Sequence, residues 1–244
     1  MDSGYYAACA GLKAQTQALE IVANNLANLQ TTGYRGEQPT FRALLASSGT
    51  EAMLPLNRVV NDFGILAGTR VDLSPGNLER TGNPLDLAIE GSGFFAVQTK
   101  AGVLYTRNGN FQVSSQGQLV TVSGDLVMGD QGPITVPRGA VSISADGTIS
   151  VDGAVAGKLK LVEFARGSSP VPESTSYFSV PNDQVKPAPD SYVRQNMLEA
   201  SNVNAVTAVV SLITVQRQAE MLERAMSVFH SDLNHIAAND LPKV

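Results

Sequence analysis

The sequence predicts an α+β fold in which long N- and C-terminal helices form a coiled-coil-like layer and the middle forms a central antiparallel β-rich domain. Apolar residues recur every seven positions at both ends. Near the start they are Tyr5, Leu12, Leu19 and Leu26, with Ala8, Gln15, Val22 and Leu29 offset by three. Near the finish they are Ala208, Val215, Leu222, Phe229 and Ile236, interleaved with Leu212, Ala219, Met226 and Leu233. Such a repeat keeps one stripe of a helix facing a partner helix. Between the two repeats the apolar period falls to two and glycine-bearing turns become frequent, as short antiparallel strands require. The expected division is an assembly helix over 1–34, an extended connector over 35–84, a β-rich domain over 85–190 and a second assembly helix over 191–244.

The first helix spans about Ser3 to Leu29, ~40 Å at 1.5 Å per residue. Gly33, in Thr31-Thr32-Gly33-Tyr34, offers a left-handed stop, and Tyr34 a contact back onto the last turn. Lys13 and Glu20 are nearly its only charges. A lone surface helix shows a charged solvent face, so this one is expected to be covered on several sides. Phe41-Arg42-Ala43-Leu44-Leu45 reads as a short helical turn ended by Ser47-Ser48-Gly49. Asp72-Leu73-Ser74-Pro75-Gly76 and Thr81-Gly82-Asn83-Pro84 fit a turn-rich connector.

In the β region, Phe94-Phe95-Ala96-Val97 and Val103-Leu104-Tyr105-Thr106 precede Asn108-Gly109 and Phe111-Gln112-Val113. Asn-Gly between apolar strands predicts a hairpin. Further turns are expected at Gln116-Gly117, Ser123-Gly124, Gly129-Asp130, Asp146-Gly147 and Asp152-Gly153. The Ser- and Pro-rich stretch from Gly167 to Pro189 reads as a return connector. The last helix spans about Asn202 to Ala238, ~55 Å by the same rise. Two helices that long have more apolar surface than their shared seam can bury.

Composition narrows the function. With 244 residues and 43% hydrophobic content, the chain has ample material for a core. Its net charge is -5 and it has no Lys/Arg run, which argues against a nucleic-acid partner. The single cysteine, Cys9, sits among small residues and reads as a packing residue. The N-terminus, Met-Asp-Ser-Gly-Tyr-Tyr, lacks the basic region and apolar core of a secretory signal. No apolar run is long enough to cross a membrane, so no cleavable signal peptide and no direct membrane insertion are expected.

Reactive constellations are equally sparse. His230 and His235 lie five apart on the last helix, on different faces, a poor arrangement for a shared metal. Gly91-Ser92-Gly93 lacks the third glycine and following helix of a nucleotide fingerprint. Asp146-Gly147 and Asp152-Gly153 lack the distal glutamate of a calcium loop. The carboxylates Asp86, Glu90, Asp125 and Glu163 show no spacing that singles out an acid/base pair. No catalytic, cofactor-binding or metal-binding residue is therefore expected, and the chain is read as a non-enzyme. Asn24, Asn25 and Asn28 keep two readings: amides that fix register across subunits, or residues that merely weaken the helix near its end.

The order of motifs then becomes recognisable. Asn24-Asn25-Leu26-Ala27-Asn28 followed by Thr32-Gly33-Tyr34-Arg35 resembles the N-terminal motif of the axial proteins of the bacterial flagellum, the rod and hook subunits. Leu73-Ser74-Pro75-Gly76-Asn77-Leu78, Thr81-Gly82-Asn83-Pro84-Leu85-Asp86-Leu87-Ala88-Ile89, Gly93-Phe94-Phe95 and Tyr105-Thr106-Arg107-Asn108-Gly109 resemble the rod-protein core. Leu198-Glu199-Ala200-Ser201-Asn202-Val203 resembles the family's entry into its last helix. Gly132-Pro133-Ile134-Thr135-Val136-Pro137, Asp146-Gly147-Thr148-Ile149-Ser150, Gly157-Lys158-Leu159-Lys160-Leu161-Val162 and the compact length are most like the proximal rod members; distal rod and hook-type subunits are the alternatives within the family.

The resemblance implies a structural subunit of the basal-body rod that self-assembles helically with other rod proteins and transmits torque from motor to hook. It implies export unfolded through the flagellar type III apparatus, terminal helices forming an inner tube, and the β domain facing periplasm and peptidoglycan. The subunit-interface residues expected on this basis, together with the heptads, are Tyr5, Leu12, Leu19, Val22, Asn24, Asn25, Leu26, Asn28, Leu29, Gly33, Tyr34, Leu212, Val215, Ala219, Leu222, Met226, Phe229, Leu233 and Ile236. Aspartate at Leu26 or Leu222 is expected to block incorporation, because the charge would be buried without a partner. A soluble β-domain binding module with a helical stalk is the alternative outside the family.

Overall fold

The computed structural model describes residues 2–42, 65–165 and 167–240. The chain divides into two compact units. One comprises Met1–Leu26, Glu37–Arg70 and Ala205–Val244; the other comprises Ala27–Gly36 and Val71–Asn204.

The first unit holds helix α1, Asp2–Ala27, and helix α2, Ala205–Asp240, which pack together. On α1 the buried face is a ladder of small residues, Ala8, Gly11, Ala14 and Ala18, closed by Val22. Spacings of three and four place these on one side of a 3.6-residue helix, and their size lets a neighbouring backbone approach closely. Leu12, Leu19 and Leu26 are half-buried beside that ladder. On α2 the enclosed face is Ala208, Leu212, Val215, Ala219, Leu222 and Met226, of which Ala208 and Leu222 are fully buried. Strands Glu37–Arg42 and Ile65–Val71 pair as a two-stranded sheet, so Phe41 and Arg42 are extended and not the helical turn expected of them. The rest of that expected turn, 43–45, lies outside the described residues.

The second unit is built around the strand Phe94–Thr99, which pairs with Gly102–Thr106, Leu126–Gly129 and Leu161–Phe164, all antiparallel. Its first four residues are buried on both faces of the sheet, which explains their unbroken apolar run. Phe95 and Val97 enter a core with Leu87, Ile89, Phe111, Leu119, Val127 and Ile149. Phe94 and Ala96 face the other way, toward Val71, Tyr105, Val162 and Phe178. Alternation along one strand thus feeds two cores. Ring pairs tighten both, Phe95 on Phe111 at 5.0 Å and Phe94 on Phe164 at 4.3 Å between centroids.

Most expected turns are hairpins. Asp146-Gly147 and Asp152-Gly153 join the three antiparallel strands Val141–Ile143, Thr148–Val151 and Ala154–Lys158. At the second turn both residues are left-handed, with φ of 50° and 85°. That is the type I′ geometry whose twist matches the flanking strands.

Two further expectations fail. Asn108-Gly109 does not join its flanking strands as a hairpin: Gly102–Thr106 pairs with Phe94–Thr99, while Phe111–Val113 pairs with Leu119–Thr121. Gly109 instead lies against the backbone of Leu87, whose N–H it accepts at 3.0 Å. A Cβ there would fall 1.6 Å from the Leu87 carbonyl oxygen, so close approach is what requires glycine. The stretch from Gly167 to Pro189 is not a simple connector either. It contributes strands Val171–Pro172, Tyr177–Ser179 and Val185–Pro187 to the large sheet, because Phe178 and its neighbours carry the burial that the prolines obscure.

Candidate functional site

The motifs that stand far apart in the sequence meet at one buried junction in the second unit. Its centre is Glu199, the last residue of the strand Met197–Glu199, which pairs with Leu78–Arg80. The Glu199 side chain is completely buried, and so are those of Arg35 and, within 1%, Arg107. Arg35 Nη2 donates to Glu199 Oε1 at 2.7 Å, and Arg107 Nη1 to Oε2 at 3.2 Å. The Gly76 amide also donates to Oε1 at 2.8 Å, and the Gly33 amide to the Glu199 carbonyl at 2.7 Å.

Glycine makes these approaches possible. Gly33 is left-handed, with φ of 68°, and a Cβ on it would stand 2.3 Å from the Asn108 nitrogen. A Cβ on Gly76 would stand 2.0 Å from the Ala200 carbonyl oxygen. Next to Glu199, the Asn202 amide ties three segments together. Its Nδ2 donates to the carbonyls of Asp72 and Ser74, at 2.9 and 3.0 Å, and its Oδ1 accepts from the Gly36 amide at 2.8 Å.

Two guanidinium groups share one carboxylate, so the buried cluster carries an excess positive charge. Arg107 also donates from Nη1 to the Ile89 carbonyl and from Nη2 to the Gly91 carbonyl, and lies over the Phe94 ring, 4.9 Å from its centroid. Burial lowers the Arg107 pKa to about 10; Glu199 opposes that shift and Arg35 adds to it. The group stays charged at neutral pH. Among the described residues, Nε of Arg107, and Nε and Nη1 of Arg35, have no hydrogen-bond partner. A carboxylate between two guanidinium groups, closed off by backbone, offers no nucleophile, no proton relay and no open ligand position. The junction can hold segments together; it is not built to react.

The other carboxylates are dispersed. Asp86 accepts from the Asn83 amide, Glu90 pairs with Arg194, Glu163 accepts from Ser92, and Asp125 takes a hydrogen bond from the Tyr177 hydroxyl at 2.9 Å. Burial raises the Tyr177 pKa, so the phenol remains a donor. Among the described residues no three His, Cys, Asp or Glu side chains group as metal ligands, and no helix is long and apolar enough to cross a membrane.

The expected interface residues that the structure describes fall into three groups. Leu12, Leu19, Leu26, Leu29, Leu212, Val215, Ala219 and Met226 are half-buried on the helices and the turn after α1, with Val22 and Leu222 buried. Asn25 is engaged within the chain: its Nδ2 donates to the Glu37 carbonyl at 2.7 Å and its Oδ1 accepts from the Glu37 amide at 2.9 Å. Asn28 Oδ1 accepts from the Thr31 hydroxyl, and Asn24 is exposed with a partner of its own. Gly33 and Tyr34 are buried in the junction. The side chains of Tyr5, Phe229, Leu233 and Ile236 lie outside the described residues.

Sequence reasoning assigned no role to Arg35, Arg107 or Glu199, although each sits in a quoted motif. The available signal was a charge beside a motif glycine or asparagine: Arg35 two residues after Gly33, and Arg107 next to Asn108-Gly109. It also missed a second apolar stripe on α2: Val206, Val209, Val210, Ile213, Met221 and Val228 are all exposed.

Comparison with known proteins assigns this arrangement a lineage. Residues 6–35 match the family described as flagella basal body rod protein, 88–151 the flagellar hook protein FlgE/F/G D1 domain, and 194–237 the flagellar basal body rod FlgEFG protein C-terminal family. The chain is 33% identical to the flagellar basal-body rod protein FlgF of Caulobacter vibrioides, over all of both chains. It is 35% identical to FlgF of Escherichia coli, over 93% of this chain and 94% of the relative. With the rod protein FlgG of Agrobacterium fabrum it shares 34% identity, over 90% and 92% of the two chains.

Proposed function

The chain belongs to the flagellar basal-body rod protein family, as a structural, non-enzymatic, FlgF-like subunit of the proximal rod, and on that premise we propose how it assembles. Copies of this chain and other rod proteins associate helically through the terminal helices, forming a stiff shaft that carries torque from motor to hook. The observation that carries this reading is the second apolar stripe of α2. One face of the helix is enclosed, yet Val206, Val210, Ile213, Met221 and Val228 remain exposed at spacings that keep them to one side. Burying an aliphatic side chain is worth about 1.5–3 kcal/mol, so a neighbouring subunit covering this stripe would gain substantially. The chain would arrive by the flagellar type III export route, and its β unit would face periplasm and peptidoglycan.

Ile213→Asp tests the reading. Ile213 is exposed in the isolated chain, so its thermal unfolding midpoint is expected to stay within about 2 °C of the parent. The variant should be depleted at least tenfold from purified basal bodies. Normal incorporation would remove the stripe from the assembly surface. Leu222→Asp is a poorer probe, because Leu222 is buried within its own chain and the charge would disturb the monomer as well.

A further inference from the structure

We propose that residues 28–36 form a clasp that closes last, onto a C-terminal arm already fixed to the β unit, and that it opens without unfolding that unit. The C-terminal arm, 192–202, is held by two ladders. Tyr192–Gln195 pairs residue by residue with Leu87–Glu90, and Met197–Glu199 with Leu78–Arg80. The Gln195 side chain adds bonds to the Pro84 and Val141 carbonyls and to the Ile143 amide. Glu199 is satisfied before the clasp arrives, with Gly76 on one carboxylate oxygen and Arg107 on the other. Arg107 and Glu199 also neutralise each other.

The clasp has no ladder. Gly33 donates to the Glu199 carbonyl, Tyr34 accepts from the Asn202 amide at 3.4 Å, Gly36 donates to the Asn202 side chain and accepts from Asp72, and Arg35 reaches Glu199. Apart from the Asp72 bond, these need Glu199 and Asn202 already in place. Docking Arg35 also adds a second cation to a pair already neutral, and buries two of its nitrogens without partners among the described residues. Desolvating a guanidinium for so few bonds makes the clasp the weakest-held part of the junction. Because residues 28–36 follow directly from α1, opening the clasp frees the chain behind the first helix while the β ladders stay formed.

Hydrogen exchange on the full chain, read by mass spectrometry, tests this, since sub-global opening shows as segment-specific loss of protection. In the parent, the amides of Gly33 and Gly36 should exchange at least tenfold faster than those of Val193 and Met197. Gly33→Ala should speed exchange across 33–36 at least a further tenfold while leaving 193–199 within twofold, because the added Cβ meets the Arg107–Asn108 backbone. Glu199→Gln should speed both segments. Equal protection of the two segments in the parent would overturn the clasp. So would parallel loss in the Gly33 variant, unchanged protection of 33–36 in it, or its failure to fold.

Discussion

Glu199 does at residue scale what none of its neighbours can. Among the described residues it is the only anion between the two buried guanidinium groups, so its loss strands two cations. Removing one partner from a buried ion pair costs about 3–5 kcal/mol, and Glu199→Gln is expected to fall in that range in urea unfolding. Arg35→Met leaves the neutral Arg107–Glu199 pair and should cost less than half as much. Equal losses would show that the excess charge plays no part. Gly109→Ala is the steric counterpart, because a methyl group cannot share space with the Leu87 carbonyl. At least about 1–3 kcal/mol is expected from such overpacking, read as a lowered unfolding midpoint. Gly109 shows where local signals mislead. Asn-Gly has the composition of a hairpin, yet its glycine answers a backbone more than twenty residues away, and no local pattern contains that contact.

At the scale of elements, the heptads located both helices and, on α2, named the face that packs. On α1 one heptad line runs through the half-buried leucines and the other includes Ala8 and Val22, which are buried, but neither contains Gly11, Ala14 or Ala18 of the enclosed ladder. Small residues carry little hydrophobic signal, so a pattern search weighted by size reads the flank in place of the face. Ala18 is fully buried. Ala18→Leu should therefore destabilise by about 1–3 kcal/mol, despite raising hydrophobicity, and a stabilised variant would refute the close approach. The strands were legible where Phe, Val and Ile alternate with turns at Asp-Gly. They were not legible between Gly167 and Pro189, where strands of two or three residues borrow their stability from the sheet they join.

For the whole molecule, the two units divide the work. The β unit turns its junction inward: the motif glycines, Arg35, Arg107, Glu199 and Asn202 make their bonds within the chain, with three guanidinium nitrogens left over. The helical unit is not so closed, since α2 keeps an exposed apolar stripe. The family was legible because those motifs must keep their spacing to meet at Glu199; their meeting was not, because contacts 92 and 164 residues apart leave no periodic trace. The most direct test of this division is limited proteolysis of the dilute protein, with fragments identified by mass spectrometry and sedimentation followed in parallel. A resistant monomeric fragment spanning Val71–Asn204, with α1 and α2 rapidly trimmed, is the expected result. Terminal helices as resistant as that fragment on a monomer would contradict it, and would mean that the helices need no partner.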